Sequence, residues 1–381
     1  MMTDTSSAAR PTVAEIARAL EVWAPPASAQ SYDNVGLQVG DAAAHIEAAL
    51  LALDLTPAVV QEAIAAGAGL IVTHHPLIFK PLRSVRRGDW HGDLILDLAN
   101  AGIALYAIHT NLDAAHGGVS IALAERLGLR GVDFLRPLPD SLYKLVTFVP
   151  ESHFEAVRLA LAEAGAGAIG AYDACAFALS GTGYFRPGPD ANPHIGTAGG
   201  GLEQVAERRL EVEVARWTLP AVVAALRAAH PYETVAYDVY PVLQPYSRTG
   251  MGAIGELEST LPLDAFLGRV RDRLDAGHLR FAGSRDASVR RVAVCGGSGS
   301  DLIGDALRAG ADAYVTADIT YHRFFDVLDG AGDPRMALID AGHYETERHT
   351  EALLQQWLAT RFSKVRWIRT GHGTSPMQSY P

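Results

Sequence analysis

The sequence predicts an α/β fold in which two α/β segments are separated by a smaller α+β insert. In residues 48–127 and again after residue 250, short apolar strands alternate with helices, which is typical of a largely parallel sheet covered by helices. Between these segments, strand, helix and strand follow one another twice, as in the split βαβ arrangement. We therefore expect an α/β core in residues 1–141 and 246–381, interrupted by an insert at 142–245.

The composition is that of an ordinary globular protein and excludes several classes of function. Of 381 residues, 49% are hydrophobic and 20% are charged, and no apolar run approaches the roughly 20 residues of a membrane helix. The net charge of −11 argues against binding to nucleic acid or to anionic membranes. Cys175 and Cys295 are far apart and imply no disulfide framework. Because the N-terminal arm lacks the apolar region of a signal peptide, we expect a cytoplasmic protein.

The first α/β segment carries clear signals for the starts of its helices. Thr12 and Glu15 have the spacing of a capping box, and Thr56 followed by Pro57 predicts the start of the second helix. Asp33 and Asn34 precede a short strand, and an Asx-type turn is an adequate explanation for this pair. The predicted elements are strands at 48–53, 70–72 and 103–108 and helices at 13–23, 56–66, 90–101 and 119–127.

The rest of the chain divides into the insert and the second α/β segment. The insert is predicted to contain strands at 145–149, 174–180, 210–214 and 235–242, helices at 152–164 and 220–229, and a long Gly/Pro-rich loop at 181–204. The second segment is predicted to contain strands at 292–294, 314–316, 336–339 and 363–368 and helices at 263–274 and 301–309. The glycine-rich stretch from Gly296 to Gly299 would suit an anion at a helix start, but tight strand–helix packing explains it about equally well.

Imidazoles and carboxylates follow three of the predicted strands. Ligands collect beyond the carboxyl ends of the strands in open α/β sheets. His74 and His75, the pair after the first of these strands, could in isolation be two loop histidines bonded to backbone or water. Alternatively, each could bind one of two neighbouring metal ions, because adjacent side chains on an extended chain point in opposite directions. The residues that follow the three strands are His74 and His75, His109 and Asp113, and His343 and Glu347.

The recurrence of these residue types at three strand ends favours a dinuclear metal site. His343 and Glu347 are four residues apart, so both project from one face of a helix. Imidazole and carboxylate donors suit zinc, manganese, iron or cobalt, and the absence of a thiolate nearby in sequence excludes a cysteine-rich structural zinc site. Five ligands shared between two ions leave coordination positions for water, as catalytic sites require.

Four motifs, together with a fifth stretch in the insert, carry a resemblance to a known family. In order, they are Asp33-Asn34-Val35-Gly36-Leu37, Thr73-His74-His75-Pro76, His109-Thr110-Asn111-Leu112-Asp113 and Gly342-His343-Tyr344-Glu345-Thr346-Glu347. The sequence is thereby identified as a member of the Nif-three-like family, often named GTP cyclohydrolase type 2 homologues. In the insert, His230-Pro231-Tyr232-Glu233 resembles the motif of the longer members. The resemblance thus covers nearly the whole chain.

This resemblance implies a two-lobed α/β core around a dinuclear metal site, a ferredoxin-like insert, and a toroidal homohexamer. By position, the family's metal ligands fall on His74, His75, Asp113, His343 and Glu347. One carboxylate would bridge the ions, and His109 and His322 become candidate acid/base groups or neighbours of the ligands. Ala317 stands where the family has glycine before the acid of a threonine–glycine–aspartate turn, which puts close backbone approach there in doubt.

These features predict a dinuclear-metal-dependent hydrolase that acts on a nucleotide or another phosphorylated or purine small molecule. Cyclohydrolase and phosphoesterase chemistry both fit. The alternative is a non-enzymatic metal-binding or metal-sensing hexamer with the insert as its regulator. His109 or His322 could carry a proton, since the imidazole pKa of about 6.5 suits this task. The basic cluster of Arg83, Arg86 and Arg87 is most simply a solvated face.

Overall fold

The computed structural model describes residues 10–378 and divides the chain into two compact units. One unit combines the chain up to residue 136 with the chain from residue 249 onward, and the other spans residues 137–248. Mixed strands and helices in both units confirm the predicted fold class. An insert that folds independently at 142–245 stays a prediction.

The first segment of the larger unit alternates strands and helices, as the sequence predicts. Its strands are β1 (Gly36–Val39), β2 (Ala48–Ala52), β3 (Leu70–Thr73), β4 (Ala104–Ala107) and β5 (Leu129–Pro137). Its helices are α1 (Val13–Trp23), α2 (Pro57–Ala65), α3 (Trp90–Ala101), α4 (Thr110–Asp113) and α5 (Val119–Leu127). The predicted capping box is present, because the Thr12 hydroxyl accepts from the backbone N–H of Glu15 and the Glu15 carboxylate accepts from that of Thr12.

The smaller unit has the split βαβ arrangement. Its elements are β6 (Leu142–Pro150), α6 (Phe154–Glu163), β7 (Phe177–Phe185), β8 (Glu203–Ala215), α7 (Leu219–Ala229) and β9 (Tyr237–Pro241). The sheet order is β7-β8-β6-β9, and each neighbouring pair is antiparallel. One apolar cluster joins α6 and α7 to this sheet. His230 fixes the motif after α7, because its Nε2 donates to the carbonyl of Phe148 and its Nδ1 accepts from the N–H of Tyr232.

The last segment completes both sheets of the larger unit. Its strands are β10 (Gly250–Pro262), β11 (Arg280–Ala282), β12 (Ser288–Ser298), β13 (Ala313–Ala317), β14 (Ala337–Asp340) and β15 (Arg366–Arg369). Its helices are α8 (Leu263–Leu274), α9 (Ile303–Arg308), α10 (His343–Glu347) and α11 (Thr350–Arg361). β12 is much longer than predicted, because it stays paired with β10 and β13 beyond the apolar run.

Two sheets bring their strand ends to one place in the larger unit. The first has the order β1-β4-β3-β2-β15, with a parallel core of β4, β3, β2 and β15. The second has the order β11-β14-β13-β12-β10-β5, with β12, β13 and β14 parallel. Short apolar strands buried on both faces need helices on both sides, and apolar clusters flank each sheet. The loops after β3, β4, β13 and β14 supply the candidate site.

Candidate metal centre

Two histidines follow β3 directly, and their Nδ1 atoms are held by the surrounding structure. The Nδ1 of His74 lies 2.8 Å from the carbonyl oxygen of Ile108. The Nδ1 of His75 lies 2.7 Å from a carboxylate oxygen of Asp54, whose other oxygen accepts from the hydroxyl of Thr374 at 2.7 Å. Since carbonyl and carboxylate oxygens only accept, each Nδ1 carries the proton. In both rings, Nε2 is therefore the nitrogen that is left to bind a ligand.

The same arrangement recurs at the other two strand ends. The Nδ1 of His343 at the start of α10 lies 2.7 Å from Asp318, which follows β13. The Nδ1 of His109 before α4 lies 2.9 Å from the carboxylate of Asp33, which also accepts from the backbone N–H of Thr110 at 3.1 Å. Metal-binding imidazoles in proteins are usually held by carboxylates or carbonyls in this way.

The free ring nitrogens and two carboxylates converge in the interior of the larger unit. Around one oxygen of Glu347, the Nε2 atoms of His75 and His343 lie at 3.0 and 3.1 Å and are 3.4 Å from each other. On the other side, the Nε2 of His74 lies 3.7 Å from the other Glu347 oxygen and 3.7 Å from an oxygen of Asp113. The donors thus form three groups of three. Glu347 belongs to two of them, one with His75 and His343 and one with His74 and Asp113, and His109 joins His74 and His75 in the third.

Several of the converging atoms are left without a hydrogen bond. The Nε2 of His74, Oδ1 of Asp113 and Oε2 of Glu347 are buried and have no hydrogen-bond partner among the described residues. Unpaired buried polar atoms are costly, so a cluster of them indicates a missing ligand. Ligand atoms about 2.0–2.1 Å from a tetrahedral cation are separated by about 3.3 Å, close to the spacing around Glu347. These residues therefore fit a metal ion.

The protonation of the cluster also indicates a place for positive charge. Burial raises the pKa of Asp113 well above its usual range, and the nearby carboxylate of Glu347 raises it further. Burial also disfavours ionised Glu347, but the surrounding imidazoles hold its pKa well below the usual range. Burial likewise lowers the pKa of His75, yet Asp54 and Glu347 outweigh burial and raise it to about 10. Without metal, Asp113 is protonated and protonated imidazoles balance the charge of Glu347, and metal binding would displace these protons.

The glycine-rich stretch makes room for the cluster and is not an anion site. The N–H of Gly296 donates to the hydroxyl of Ser120, and the N–H of Gly297 donates to that of Thr346. A Cβ at Gly297 would lie 2.2 Å from Oε1 of Glu347, and its φ of +60° also favours glycine. The stretch is the end of β12, and α9 begins only at Ile303. The packing explanation for these glycines is therefore correct, and the anion hypothesis was wrong.

The structure separates the two histidines that the sequence suggested as proton carriers. His109 belongs to the cluster, because its ring centroid lies 5.2 Å from that of His74 and 5.3 Å from that of His75. His322 is exposed, and its ring contacts are with Tyr321 and Phe325. Within this chain, the two imidazoles are therefore not equivalent.

Residues outside the sequence-derived set complete the candidate site. Asp54 accepts from His75, Thr374 donates to Asp54, and Asp318 accepts from His343, and none of the three was among the predicted site residues. The neighbour of Asp318 is Ala317, where the family motif has glycine. Ala317 is fully buried at the end of β13, and it is Asp318 that has the positive φ, of 54°. The alanine is thus accommodated without strain at its own backbone.

The fold and this cluster define a class: α/β proteins with a candidate metal centre at the carboxyl ends of two sheets. The chain belongs to the Duf34/NIF3 (NGG1p interacting factor 3) family, whose model matches residues 11–376. Proteins of *Halalkalibacterium halodurans* and *Bacillus subtilis* named GTP cyclohydrolase 1 type 2 homolog are similar to it. The first is 40% identical over 347 residues, 91% of this chain and 90% of the relative. The second is 41% identical over 331 residues, 87% of each.

Solved structures agree with this assignment. A *Bacillus cereus* protein related to NIF3 superposes with a TM-score of 0.82 and 38% identity, covering 97% of this chain and 99% of that chain. A *Staphylococcus aureus* protein gives a TM-score of 0.75 and 30% identity, with the same two coverages. In residues 10–378, no helix is long and apolar enough to cross a membrane. The family and the fold class predicted from the motifs are both confirmed.

Proposed function

We propose that this protein is a dinuclear-metal-dependent hydrolase that acts on a nucleotide or another phosphorylated or purine small molecule. The observation that carries the proposal is the buried convergence of imidazoles and carboxylates, in which the Nε2 of His74, the Oδ1 of Asp113 and the Oε2 of Glu347 have no hydrogen-bond partner among the described residues. Relatives named GTP cyclohydrolase 1 type 2 homolog support a nucleotide as the substrate.

The two donor groups that share Glu347 suggest how the chain would hold two ions. His75, His343 and Glu347 would bind one, and His74, Asp113 and Glu347 the other, so that Glu347 bridges them. Divalent zinc, manganese, iron or cobalt bound here would supply Lewis acidity and a lowered pKa of water. Asp54 and Asp318 keep the Nε2 atoms of His75 and His343 aimed at the centre. The protein would thus contribute a preorganised set of ligands.

His109 is the side chain best situated to move a proton. Its Nδ1 is held by buried Asp33, so its Nε2 is the nitrogen available to a bound substrate. Its side chain is 17% exposed, whereas that of His74 is fully buried. A positioned imidazole contributes about 10²–10⁴ to the rate of such reactions. His109 would therefore protonate the leaving group, while the five ligands hold the metal.

The first experiment compares metal content and turnover in the same preparations. Protein purified without an affinity tag is analysed for metals and assayed against a panel of nucleotides. Asp113→Ala should lose metal and turnover together. His109→Ala should retain metal and lose about 10²–10⁴ in turnover, whereas His322→Ala should lose much less. Metal binding without any turnover would favour the alternative of a metal-binding or metal-sensing protein, and a large loss in His322→Ala alone would contradict the assignment to His109.

Assembly is a separate part of the proposal. The family resemblance implies a toroidal homohexamer, and an acidic cytoplasmic protein without membrane or nucleic-acid partners agrees with the charge of −11. Light scattering coupled to size-exclusion chromatography gives the mass in solution directly. A monomer would contradict the toroid without affecting the metal proposal.

A further inference from the structure

Two exposed aromatic rings lie beside the histidines of the candidate metal centre. The ring of Phe79, four residues after His75, lies 6.3 Å from that of His109, and the ring of Tyr32 lies 6.2 Å from Phe79. Tyr32 is 64% exposed and Phe79 is 40% exposed. A single exposed ring needs no special explanation. Here, however, a continuous row of rings leads from the metal donors to the surface.

Hydrogen bonds from the segment of residues 34–38 hold the backbone beside this row. The side-chain amide of Asn34 donates to the carbonyl of Ile78, and the Gln38 side chain accepts from the N–H of Ile78 at 2.9 Å. Gln38 also donates to the carbonyl of Asn34 at 2.8 Å, which joins the two amides. Phe79 directly follows Ile78, whose N–H and carbonyl are both hydrogen-bonded in this way. The backbone that carries this ring is thus held before any ligand arrives, and a preorganised surface binds at a lower entropic cost.

The same segment also holds His109, the proposed proton carrier. Asp33, the residue between Tyr32 and Asn34, accepts from the Nδ1 of His109 at 2.9 Å. The segment of residues 32–38 therefore contacts both the backbone that carries Phe79 and the imidazole of His109. A ring that rests on Phe79 would have its reactive atoms next to His109.

The segment that follows Phe79 is basic. Lys80, Arg83 and Arg86 are exposed and have no acidic partner in the described part of the chain, whereas Arg87 is paired with Asp97. Three unpaired cations within seven residues stand out in a chain of net charge −11. Unpaired cations beside an apolar surface suit a ligand that is both flat and anionic.

We propose that Tyr32 and Phe79 form a binding platform for the ring of a planar heteroaromatic substrate, whose anionic group is bound by the segment from Lys80 to Arg86. This inference rests on the proposed function, since it assigns the substrate class of the same site. The ligand it describes is a nucleotide-like molecule, bound through its ring and its phosphate separately. Stacking on an aromatic side chain tolerates any base, so the platform selects rings and does not choose among bases.

The test separates the ring from the phosphate by means of three probes. Binding of guanosine 5′-monophosphate, guanosine and ribose 5-phosphate to the metal-loaded protein is measured by equilibrium dialysis. Phe79→Ala should weaken the two guanine compounds about 10-fold and leave ribose 5-phosphate unchanged. Conversely, Lys80→Ala combined with Arg83→Ala and Arg86→Ala should weaken the two phosphate compounds and spare guanosine.

Two further variants control for misfolding and for the loss of any exposed aromatic side chain. Phe79→Leu retains an apolar side chain without the ring, so it should show the same selective loss even if Phe79→Ala folds poorly. Tyr172→Ala removes an aromatic that is 74% exposed in the other unit and should change none of the three affinities. Circular dichroism and metal content confirm that each variant is folded and loaded.

The outcomes distinguish this inference from the proposed function. Equal loss of all three probes in Phe79→Ala, or tight binding of ribose 5-phosphate that equals that of the nucleotide, would overturn the platform. Failure of all three probes to bind would also overturn it. Turnover that is insensitive to Phe79 and Tyr32 would remove the platform and keep the hydrolase, whereas selective ring binding without turnover would keep the platform and remove the hydrolase.

Discussion

Gly297→Ala tests whether the end of β12 is shaped for the metal centre. A Cβ at this position would lie 2.2 Å from Oε1 and 3.0 Å from Cδ of Glu347, and 3.0 Å from Nε2 of His343. An ordinary carbon–oxygen contact is at least about 3.2 Å, so the carboxylate must withdraw by about 1 Å. Binding sites tolerate displacements of only about 0.5 Å. We therefore expect metal affinity to fall about 10²-fold.

The substitution also has an effect on the backbone, which a matched control isolates. The φ of Gly297 is +60°, and alanine in this region costs about 1–2 kcal/mol. Gly310 has a φ of +68°, and a Cβ there would meet nothing within 4 Å. Gly310→Ala should therefore show the same loss of stability and bind metal with unchanged affinity.

The assay combines thermal unfolding of metal-free protein with competition for metal against a chelator. Similar melting temperatures for the two variants, with weakened metal binding only in Gly297→Ala, are the expected result. Wild-type metal affinity in a folded Gly297→Ala would refute the reasoning, because Glu347 could then not be a ligand in the observed geometry. Weakened binding in both variants would mean that backbone strain, and not the steric contact, is responsible.

Two more substitutions probe the surroundings of the site. Asp54→Asn removes the carboxylate that holds His75, so metal affinity measured by chelator competition should fall about 10–100-fold. The exposed control Asp286→Asn should leave this affinity unchanged. Equal metal affinities for the two variants would show that Asp54 does not position His75. Burial raises the pKa of Glu351 from 4.5 to about 7, so the stability contributed by its protonated form is lost as the pH rises through 7. Glu351→Gln should therefore raise the free energy of unfolding by up to about 3 kcal/mol at pH 8 and leave it unchanged at pH 4. Denaturant titrations at the two pH values measure this difference, and an equal gain at both would contradict it.

The candidate metal donors were predictable because each follows a strand of a parallel sheet, and such strands end at the same edge. Short apolar strands such as β3 and β14 are readable from sequence, and parallel strands in a sheet end at the same edge. His74, His75 and His343 follow such ends directly, so the convergence is encoded in local patterns. The capping box at Thr12 and the helix start at Pro57 were predictable for the same reason, because their partners lie three residues away or fewer.

Contacts between distant parts of the chain were not predictable. Asp54 is a single acid in a loop, and its partners His75 and Thr374 are 21 and 320 residues away. The glycines of β12 suggest a turn locally, but pairing with β13 resumes beyond them at Ser298 and extends the strand. The predicted strand at 174–180 is β7, which lies at 177–185, because its register is set by pairing with β8. Long-range pairing of this kind overrides local propensity.

The hydrogen bond between Thr374 and Asp54 joins an early part of the chain to its C-terminal end. The candidate site can therefore be complete only after nearly the whole chain has been synthesised. His74 and His75 are translated early, whereas His343 and Glu347 follow roughly 270 residues later and Thr374 is near the C-terminus. At about 5–20 residues per second, the ribosome needs on the order of 15–50 s to supply the second set of ligands. Throughout this interval, the nascent chain contains only three of the five proposed ligands, His74, His75 and Asp113. Metal capture by the proposed centre would consequently be a late event, and a truncated or stalled chain would not acquire the complete donor set.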